Sequence, residues 1–204
     1  MPKSSWCKYI GSFFMIIGFV LGNGTSRKNI NLDELREKGL IYGCNALYRD
    51  YIPDVLVATD NLISAEIQRI GYSKKHRFYT RMPEEGKGAH PVPAQYYGFS
   101  SGPIAVALAA QYCDVIFMLG FDFGSVDGVR FNNVYADTPF YKKSTDPATP
   151  GENWIKQITK IAADYPETSF VRVVTNDSKF VELNHIKNLD TLPLKSFSKL
   201  LNTL

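Results

Sequence analysis

Residues 15–26 read MIIGFVLGNGTS, an apolar run that passes directly into a glycine-rich polar turn. A run of this length that is apolar at nearly every position is typical of a strand buried on both faces of a parallel sheet. The chain then continues into a short predicted helix, because Asn31 is a good capping residue, Glu34 follows it three positions later and Gly39 ends the pattern. The stretch therefore predicts the first strand, turn and helix of an α/β domain.

The rest of the chain repeats this alternation of buried strands and helices. Two further apolar segments, residues 40–48 and 54–60, each follow a helix or turn, which indicates parallel strands. An amphipathic helix is predicted over residues 61–72, with an apolar face made of Leu62, Ile63, Ile67 and Ile70. Further strands are predicted at 76–81, 114–124 and 169–177, and further helices at 100–113, 153–163 and from residue 178 to residue 183. The sequence thus predicts a single Rossmann-like α/β domain with a mainly parallel sheet flanked by helices.

The N-terminal segment combines lysines with an apolar run and superficially resembles a signal peptide or a membrane anchor. The apolar part, residues 9–21, is shorter than the ~20 residues of a membrane-spanning helix and contains Gly11, Ser12 and Gly18. A buried first strand explains its second half better than a membrane anchor does. The domain is therefore predicted to span residues 15–204, after a disordered extension of residues 1–14.

Composition narrows the class of protein further. The chain has 204 residues, of which 45% are hydrophobic, enough for one buried core. Its 23 basic and 20 acidic residues give a net charge of only +3, so nucleic-acid binding is not predicted and a small molecule is the expected partner. The three cysteines lack metal-binding or redox spacing, which favours a reducing cytoplasm. The sequence leaves the oligomeric state open.

Polar residues follow the predicted strands, and in an open parallel sheet the loops after the strands share one crevice. The turn after the first strand is half of a G-x-G-x-x-G dinucleotide fingerprint, and a Ser-Ser-Gly segment opens a later helix. Each feature taken alone is also explained by an ordinary polar turn or helix cap. Together they predict a nucleotide-binding set that consists of Gly22, Asn23, Gly24, Ser26, Asn45, Ser100, Ser101, Gly102 and Asp122.

Two residues are candidates for a catalytic base. Asp60 follows a predicted strand and could accept a proton, hold a ribose hydroxyl or cap the next helix. His90 lies in a proline- and glycine-rich segment, residues 82–99, whose length inside a compact domain is typical of a functional lid. Closure of such a lid would bring His90 to a substrate. No close pair of aspartates indicates a metal site.

Four short motifs in a fixed order resemble those of a known group of proteins. They are GNGTS at residues 22–26, YGCNALY at 42–48, SSG at 100–102 and MLGFDF at 118–123. The set is similar to the motifs of bacterial lipooligosaccharide sialyltransferases and of related Rossmann-like proteins, which include flagellin-modifying glycosyltransferases and a pterin pyrophosphokinase. The segments GNGTSRKNI and NALYRDYIPDVLVATD also resemble uncharacterised members carried by bacteriophages. The resemblance spans residues 18–123 and weakens through residue 183.

The resemblance implies a CMP-sugar donor that is bound without a metal or a further cofactor. It places Asn23 and Gly24 near the phosphate and Asn45 near the nucleotide or the sugar. Residues 101–102 would contact the donor, and Asp122 would contact the ribose or the base.

Three functions therefore stay open at the level of sequence. The first is sugar transfer from a nucleotide donor, with the leaving phosphate stabilised by amides of the glycine turn and of the Ser-Ser-Gly segment. The second is a non-catalytic nucleotide-binding module, because the family's acid/base histidine has no counterpart between residues 124 and 165 and Gly124 replaces its tyrosine. The third is a pyrophosphate-transferring enzyme, which would use ATP and magnesium.

Overall fold

The computed structural model describes residues 7–10, 13–125, 127–175 and 183–204, with side chains from residue 15 onward. The strands are β1 (Cys7–Ile10), β2 (Phe13–Leu21), β3 (Leu40–Cys44), β4 (Val55–Val57), β5 (Phe78–Thr80), β6 (His90–Pro91), β7 (Val115–Leu119), β8 (Ser169–Val174) and β9 (Leu189–Pro193). The helices are α1 (Leu32–Arg36), α2 (Asn61–Arg69), α3 (Ser101–Ala110), α4 (Glu152–Asp164) and α5 (Leu194–Leu201).

Strands β2 to β9 form one parallel sheet in the order β6-β5-β4-β3-β2-β7-β8-β9. The chain adds strands outward from β2 to β6 and then crosses back to β7, so the direction of strand addition reverses between β2 and β7. Strand β1 pairs antiparallel with the first half of β2. This arrangement confirms the predicted Rossmann-like α/β class, in which ligands bind beyond the carboxyl ends of the strands near the reversal point.

Helices cover both faces of the sheet, as the apolar strands require. On one face Val20 belongs to a buried cluster with residues of α3 and α4, including Ile104 and Ile158. On the other face Phe19 stacks on Phe117 with ring centroids 5.6 Å apart, in a cluster that includes residues of α1, α2 and α5. Helix α3 is buried on nearly all sides because it lies between the sheet and α4.

Two local predictions need correction. Residues 40–48 were expected to form one strand, but β3 ends at Cys44 because Asn45 adopts a φ of 51°. The predicted apolar face of α2 is half right: Ile63 and Ile67 are buried, but Leu62 is 69% and Ile70 48% exposed. Ser64 is buried on this helix as well. The hydroxyl of Ser64 lies 2.6 Å from that of Thr80 at the end of β5, and this hydrogen bond satisfies the buried polar group.

The segment 82–99, which was predicted to be a lid, forms the edge of the sheet. Strand β6 pairs with β5, and Val92 and Tyr96 are buried. The hydroxyl of Ser73 donates to the carbonyl of Lys87 at 2.7 Å, which attaches the segment to the chain after α2. These contacts make the segment part of the domain body rather than a separate flap.

Two terminal predictions fall partly outside the described residues. The predicted extension of residues 1–14 contains β1 and the first residues of β2 in the structure, and the rest of it lies outside the described ranges. The helical start predicted at residues 178–183 also lies outside them, except for Leu183. Beyond residue 184, where the sequence shows only weak amphipathic character, the structure has β9 and α5.

Candidate functional site

A cavity of about 260 Å³ lies beyond the carboxyl ends of the strands, and residues that follow β2, β3, β4, β5 and β7 line it together with the first turn of α3. All of the predicted nucleotide-binding residues except Ser26 line this cavity, and Asp60 does so as well. Small-molecule sites have volumes of roughly 300–1,000 Å³. At about 260 Å³ the cavity lies just below this range, which favours a mononucleotide ligand over a dinucleotide.

The glycine turn after β2 is bonded to the loop after β7. The N–H of Gly22 donates to the carbonyl of Leu119 at 2.8 Å, and the N–H of Gly24 donates to the carbonyl of Gly120 at 2.9 Å. These bonds extend the pairing of β2 and β7 past the end of the sheet. Two of the turn amides that were expected to stabilise a phosphate, those of Gly22 and Gly24, are therefore already occupied by main-chain carbonyls.

The carboxylate of Asp122 joins the same two loops to the segment that follows them. It accepts from the N–H of Ser26 at 3.2 Å, from the hydroxyl of Ser26, and from Nδ2 of Asn132 at 2.9 Å. The N–H of Thr25 donates in turn to Oδ1 of Asn132 at 3.1 Å. These contacts use most of the hydrogen-bonding capacity of Asp122, so its position indicates a structural role beside the cavity.

The hydroxyl of Ser101 joins three parts of the cavity wall. It accepts from the N–H of Thr59 at 2.9 Å and donates to Oδ1 of Asn45 at 2.8 Å, and Oγ1 of Thr59 lies 2.9 Å from it. Ser101 is only 4% exposed. Its hydroxyl is therefore committed to holding the ends of β3 and β4 against α3.

Of the two candidate bases, Asp60 lines the cavity and His90 does not. Asp60 is exposed, and its side chain makes no capping bond to α2. Its Oδ2 accepts from Nδ2 of Asn45 at 3.4 Å, which leaves acceptor positions for a ligand. His90 lies on the edge strand β6, exposed, with its ring centroid 5.2 Å from that of Tyr79.

Several cavity residues were missed by the sequence analysis. Arg81 directly follows β5, so the rule that selected Asp60 after β4 applies to it equally. Trp154 in the first turn of α4 lines the cavity and donates from Nε1 to Oγ of Ser100 at 3.1 Å. Asn132 and Asn133 also line the cavity. They belong to an irregular polar segment in which no local sequence pattern indicates a binding site.

The aromatic segment after β7 is held in place by a buried arginine. Nε of Arg172 donates to the carbonyl of Phe121 at 2.8 Å, and Nη2 donates to the carbonyl of Asp122 at 3.3 Å. The guanidinium carbon lies 5.0 Å from the ring centroid of Phe123. Burial lowers the pKa of Arg172, although the Asp122 charge opposes that effect. Arg172 thus positions two aromatic rings of the cavity wall.

Cys44 is the cavity residue with the strongest shift in its pKa. Burial raises the pKa of its thiol to about 12. The thiol donates a hydrogen bond to the carbonyl of Leu21, with Sγ 3.4 Å from the oxygen. A thiol with this pKa is protonated at neutral pH and is a poor nucleophile. Cys44 therefore acts as a small buried side chain.

Among the described residues no three His, Cys, Asp or Glu side chains are grouped so that they could hold a metal ion. The helices in that part of the chain are also too short or too polar to span a bilayer. Comparisons with protein-family models, with curated proteins and with solved structures find no significant match to the chain. The resemblance to sialyltransferases therefore stays a prediction made from its sequence motifs.

Proposed function

We propose that the chain binds a nucleotide-sugar, with a CMP-sugar favoured, in this cavity and transfers the sugar to an acceptor hydroxyl without a metal. The observation that carries the proposal is the position of Asp60. Its carboxylate lines a cavity at the carboxyl ends of parallel strands, where ligands of such sheets bind, and it retains acceptor positions. The order of the four sequence motifs supports the choice of donor.

The other walls of the cavity suit a nucleoside. Trp154, Phe121 and Phe123 provide aromatic surface against which a base can pack. Asn132 and Asn133 provide amide groups that can exchange hydrogen bonds with a base or a ribose. An apolar wall with a few convergent polar groups is the usual composition of a small-molecule site.

The proposed reaction needs a proton acceptor. The acceptor oxygen attacks the anomeric carbon, the bond from that carbon to the phosphate oxygen breaks, and the electron pair leaves with the phosphate. The hydroxyl proton passes to the carboxylate of Asp60. General-base catalysis of this kind contributes about 10²- to 10⁴-fold to a rate.

The test combines binding with turnover. Isothermal titration measures the affinity of the purified chain for CMP, UDP and their sugar conjugates, and a coupled assay measures nucleotide release with and without a panel of acceptor sugars. Asp60→Asn should lower turnover by about 10²-fold or more while donor affinity stays within a few-fold. Asp190→Asn is the matched control, because Asp190 is exposed on β9, which four strands separate from β4 in the sheet. A folded chain that binds no nucleotide or nucleotide-sugar would refute the proposal.

A non-catalytic nucleotide-binding module is the second candidate. It is favoured by the hydrogen bonds that already occupy Ser101 and Asp122 and by the position of His90 outside the cavity. This candidate predicts nucleotide binding without donor hydrolysis or sugar transfer, and an Asp60→Asn variant that behaves like the wild type. Binding that requires ATP and magnesium would instead indicate pyrophosphate transfer.

A further inference from the structure

Arg81 is the one lysine or arginine among the described residues that line the cavity. Its Nε donates to the carbonyl of Tyr97 at 2.7 Å, and its Nη2 donates to the carbonyl of Phe99 at 2.7 Å. Two such bonds fix the plane of a guanidinium group. The orientation of this charge is therefore set by the main chain before any ligand arrives.

The third guanidinium nitrogen of Arg81 remains available. In the described ranges, Nη1 makes no hydrogen bond and Arg81 has no carboxylate within ion-pair distance. Two other arginines near this edge of the sheet, Arg27 and Arg49, do not line the cavity, and they donate to the carbonyls of Gly22 and Pro139 respectively. Arg81 thus places in the cavity wall a positive charge that forms no ion pair within the described ranges.

The residues that Arg81 binds lead directly into the first turn of α3. This helix has ten residues, no acidic residue in its first turn and no side-chain cap. The hydroxyl of Ser100 accepts a hydrogen bond from Trp154 instead of capping the helix. The N–H of Gly102 therefore lacks the partner that a side-chain cap would supply, and Gly102 and Ser101 both line the cavity.

The main chain at Gly102 borders the cavity without crowding. A Cβ atom added to Gly102 would meet no atom nearer than 3.5 Å, and the nearest are those of the Phe121 ring. At the glycine turn, in contrast, a Cβ atom on Gly24 would lie 2.4 Å from the Asp122 carboxylate. A negative ligand avoids that carboxylate and is attracted to the guanidinium and the positive helix end.

We infer that Arg81 and the first turn of α3 form a phosphate subsite, and that the phosphoryl group of the nucleotide binds there rather than at the glycine turn. The inference rests on the proposed function for the identity of the ligand. Nη1 offers two N–H donors and Nη2 keeps one, because the two carbonyls use only the N–H of Nε and one N–H of Nη2. These free donors suit the oxygens of a tetrahedral phosphate. Arg81 is therefore assigned as the residue that selects a phosphorylated ligand over a nucleoside.

The experiment compares phosphorylated and unphosphorylated ligands on the same variants. Isothermal titration is run with CMP, cytidine and pyrophosphate against the wild type, Arg81→Gln and Arg81→Lys. Arg81→Gln removes the charge and keeps an N–H donor for one of the two carbonyls, and circular dichroism checks that it folds. Arg69→Ala is the control, because Arg69 is an exposed arginine on α2 that pairs with Glu66 at 2.7 Å.

The expected result is a loss of about 10- to 100-fold in CMP affinity for Arg81→Gln, with cytidine affinity unchanged and with partial recovery in Arg81→Lys. A purely structural role for Arg81 would lower the affinities for CMP and cytidine together, and that result would overturn the inference. Equal CMP affinity in the wild type and Arg81→Gln would overturn it as well.

The two proposals fail in different ways. If the wild type binds pyrophosphate but no nucleotide or nucleotide-sugar of the titration panel, and Arg81→Gln loses pyrophosphate binding, the subsite stands and nucleotide binding is refuted. If CMP binds and Arg81→Gln does not weaken it, nucleotide binding stands and the subsite is refuted. If the wild type binds neither pyrophosphate nor any nucleotide or nucleotide-sugar of the panel, both are refuted.

Discussion

The carboxylate of Asp122 accepts hydrogen bonds from both the main-chain N–H and the hydroxyl of Ser26, a residue 96 positions earlier in the chain. With a further bond from Asn132 at 2.9 Å, it connects the loops after β2 and β7 to the segment that continues the cavity wall. The turn after β2 is thus held by main-chain and side-chain acceptors of other loops, which take up the N–H groups of Gly22, Gly24, Thr25 and Ser26.

Replacement of Asp122 by asparagine should destabilise the fold. The variant keeps the shape of the side chain but exchanges one acceptor oxygen for an N–H₂ group that faces other donors. The expected fall in the free energy of unfolding is about 1–3 kcal/mol, measured by urea denaturation. Asp190→Asn on the exposed edge strand should change it by less than about 0.5 kcal/mol. Equal stabilities for Asp122→Asn and the wild type would contradict the assigned contacts.

Gly24 is required by close packing rather than by an unusual backbone conformation. Its φ is −63°, which any residue can adopt, but an added Cβ would lie 2.4 Å from the Asp122 carboxylate and 2.7 Å from the carbonyl of Gly120. Gly24→Ala should therefore cost about 1–3 kcal/mol of unfolding free energy.

Gly98 provides the matched control for this substitution. An added Cβ there has no heavy atom within 4 Å, and its φ lies outside the left-handed region. Gly98→Ala should be neutral or stabilise the fold by up to about 1 kcal/mol, because alanine restricts the unfolded chain. The contrast in thermal midpoint between the two variants is the measurement, and similar values for both would refute the packing argument.

Ser101 should matter for stability even in the absence of a ligand. Ser101→Ala leaves the buried N–H of Thr59 without its acceptor and Oδ1 of Asn45 without its donor. The expected loss is about 1–3 kcal/mol in urea denaturation. Ser198→Ala is the control, since Ser198 is exposed on α5 and its hydroxyl bonds the carbonyl of Leu194. A Ser101→Ala variant as stable as Ser198→Ala would show that the hydroxyl has no structural role.

The features that could be predicted from the sequence are those set by neighbouring residues or by a general property of parallel sheets. Oδ1 of Asn31 caps α1 by accepting from the N–H of Asp33, only two positions away, at 3.1 Å. Asn45 and Asp60 could be assigned to one crevice because parallel strands direct their carboxyl ends to the same edge. The same argument could have identified Arg81, since it directly follows β5.

The features that were missed depend on contacts between distant parts of the chain. The buried face of α2 includes Ser64 because its partner Thr80 lies on β5, and amphipathic periodicity carries no information on that partner. The roles of the polar residues also changed, because their hydrogen bonds are set by tertiary packing. Nothing near Ser26 in the sequence indicates that the carboxylate of Asp122 accepts its main-chain N–H.

The buried thiols predict a loss of stability at alkaline pH. Burial raises the pKa of Cys44 to about 12 and that of Cys113 to about 11, whereas a thiol in an unfolded chain titrates near ~8.5. Above that pH the unfolded state releases protons that the folded state retains, so the free energy of unfolding falls as pH rises toward the folded values.

Cys44→Ala isolates one thiol from this effect. Between about pH 9 and 11, the free energy of unfolding of Cys44→Ala should fall less steeply with pH than that of the wild type. The difference in slope should be up to about 1.4 kcal/mol per pH unit. Urea denaturation at pH 7.5, 9, 10 and 10.5 measures how the free energy of unfolding of each protein depends on pH. The difference between the two free energies at pH 7.5 gives the packing cost of the substitution separately. Tyrosines titrate in both chains and cancel in the comparison. Parallel curves for the two proteins would show that the buried thiol of Cys44 does not retain its proton.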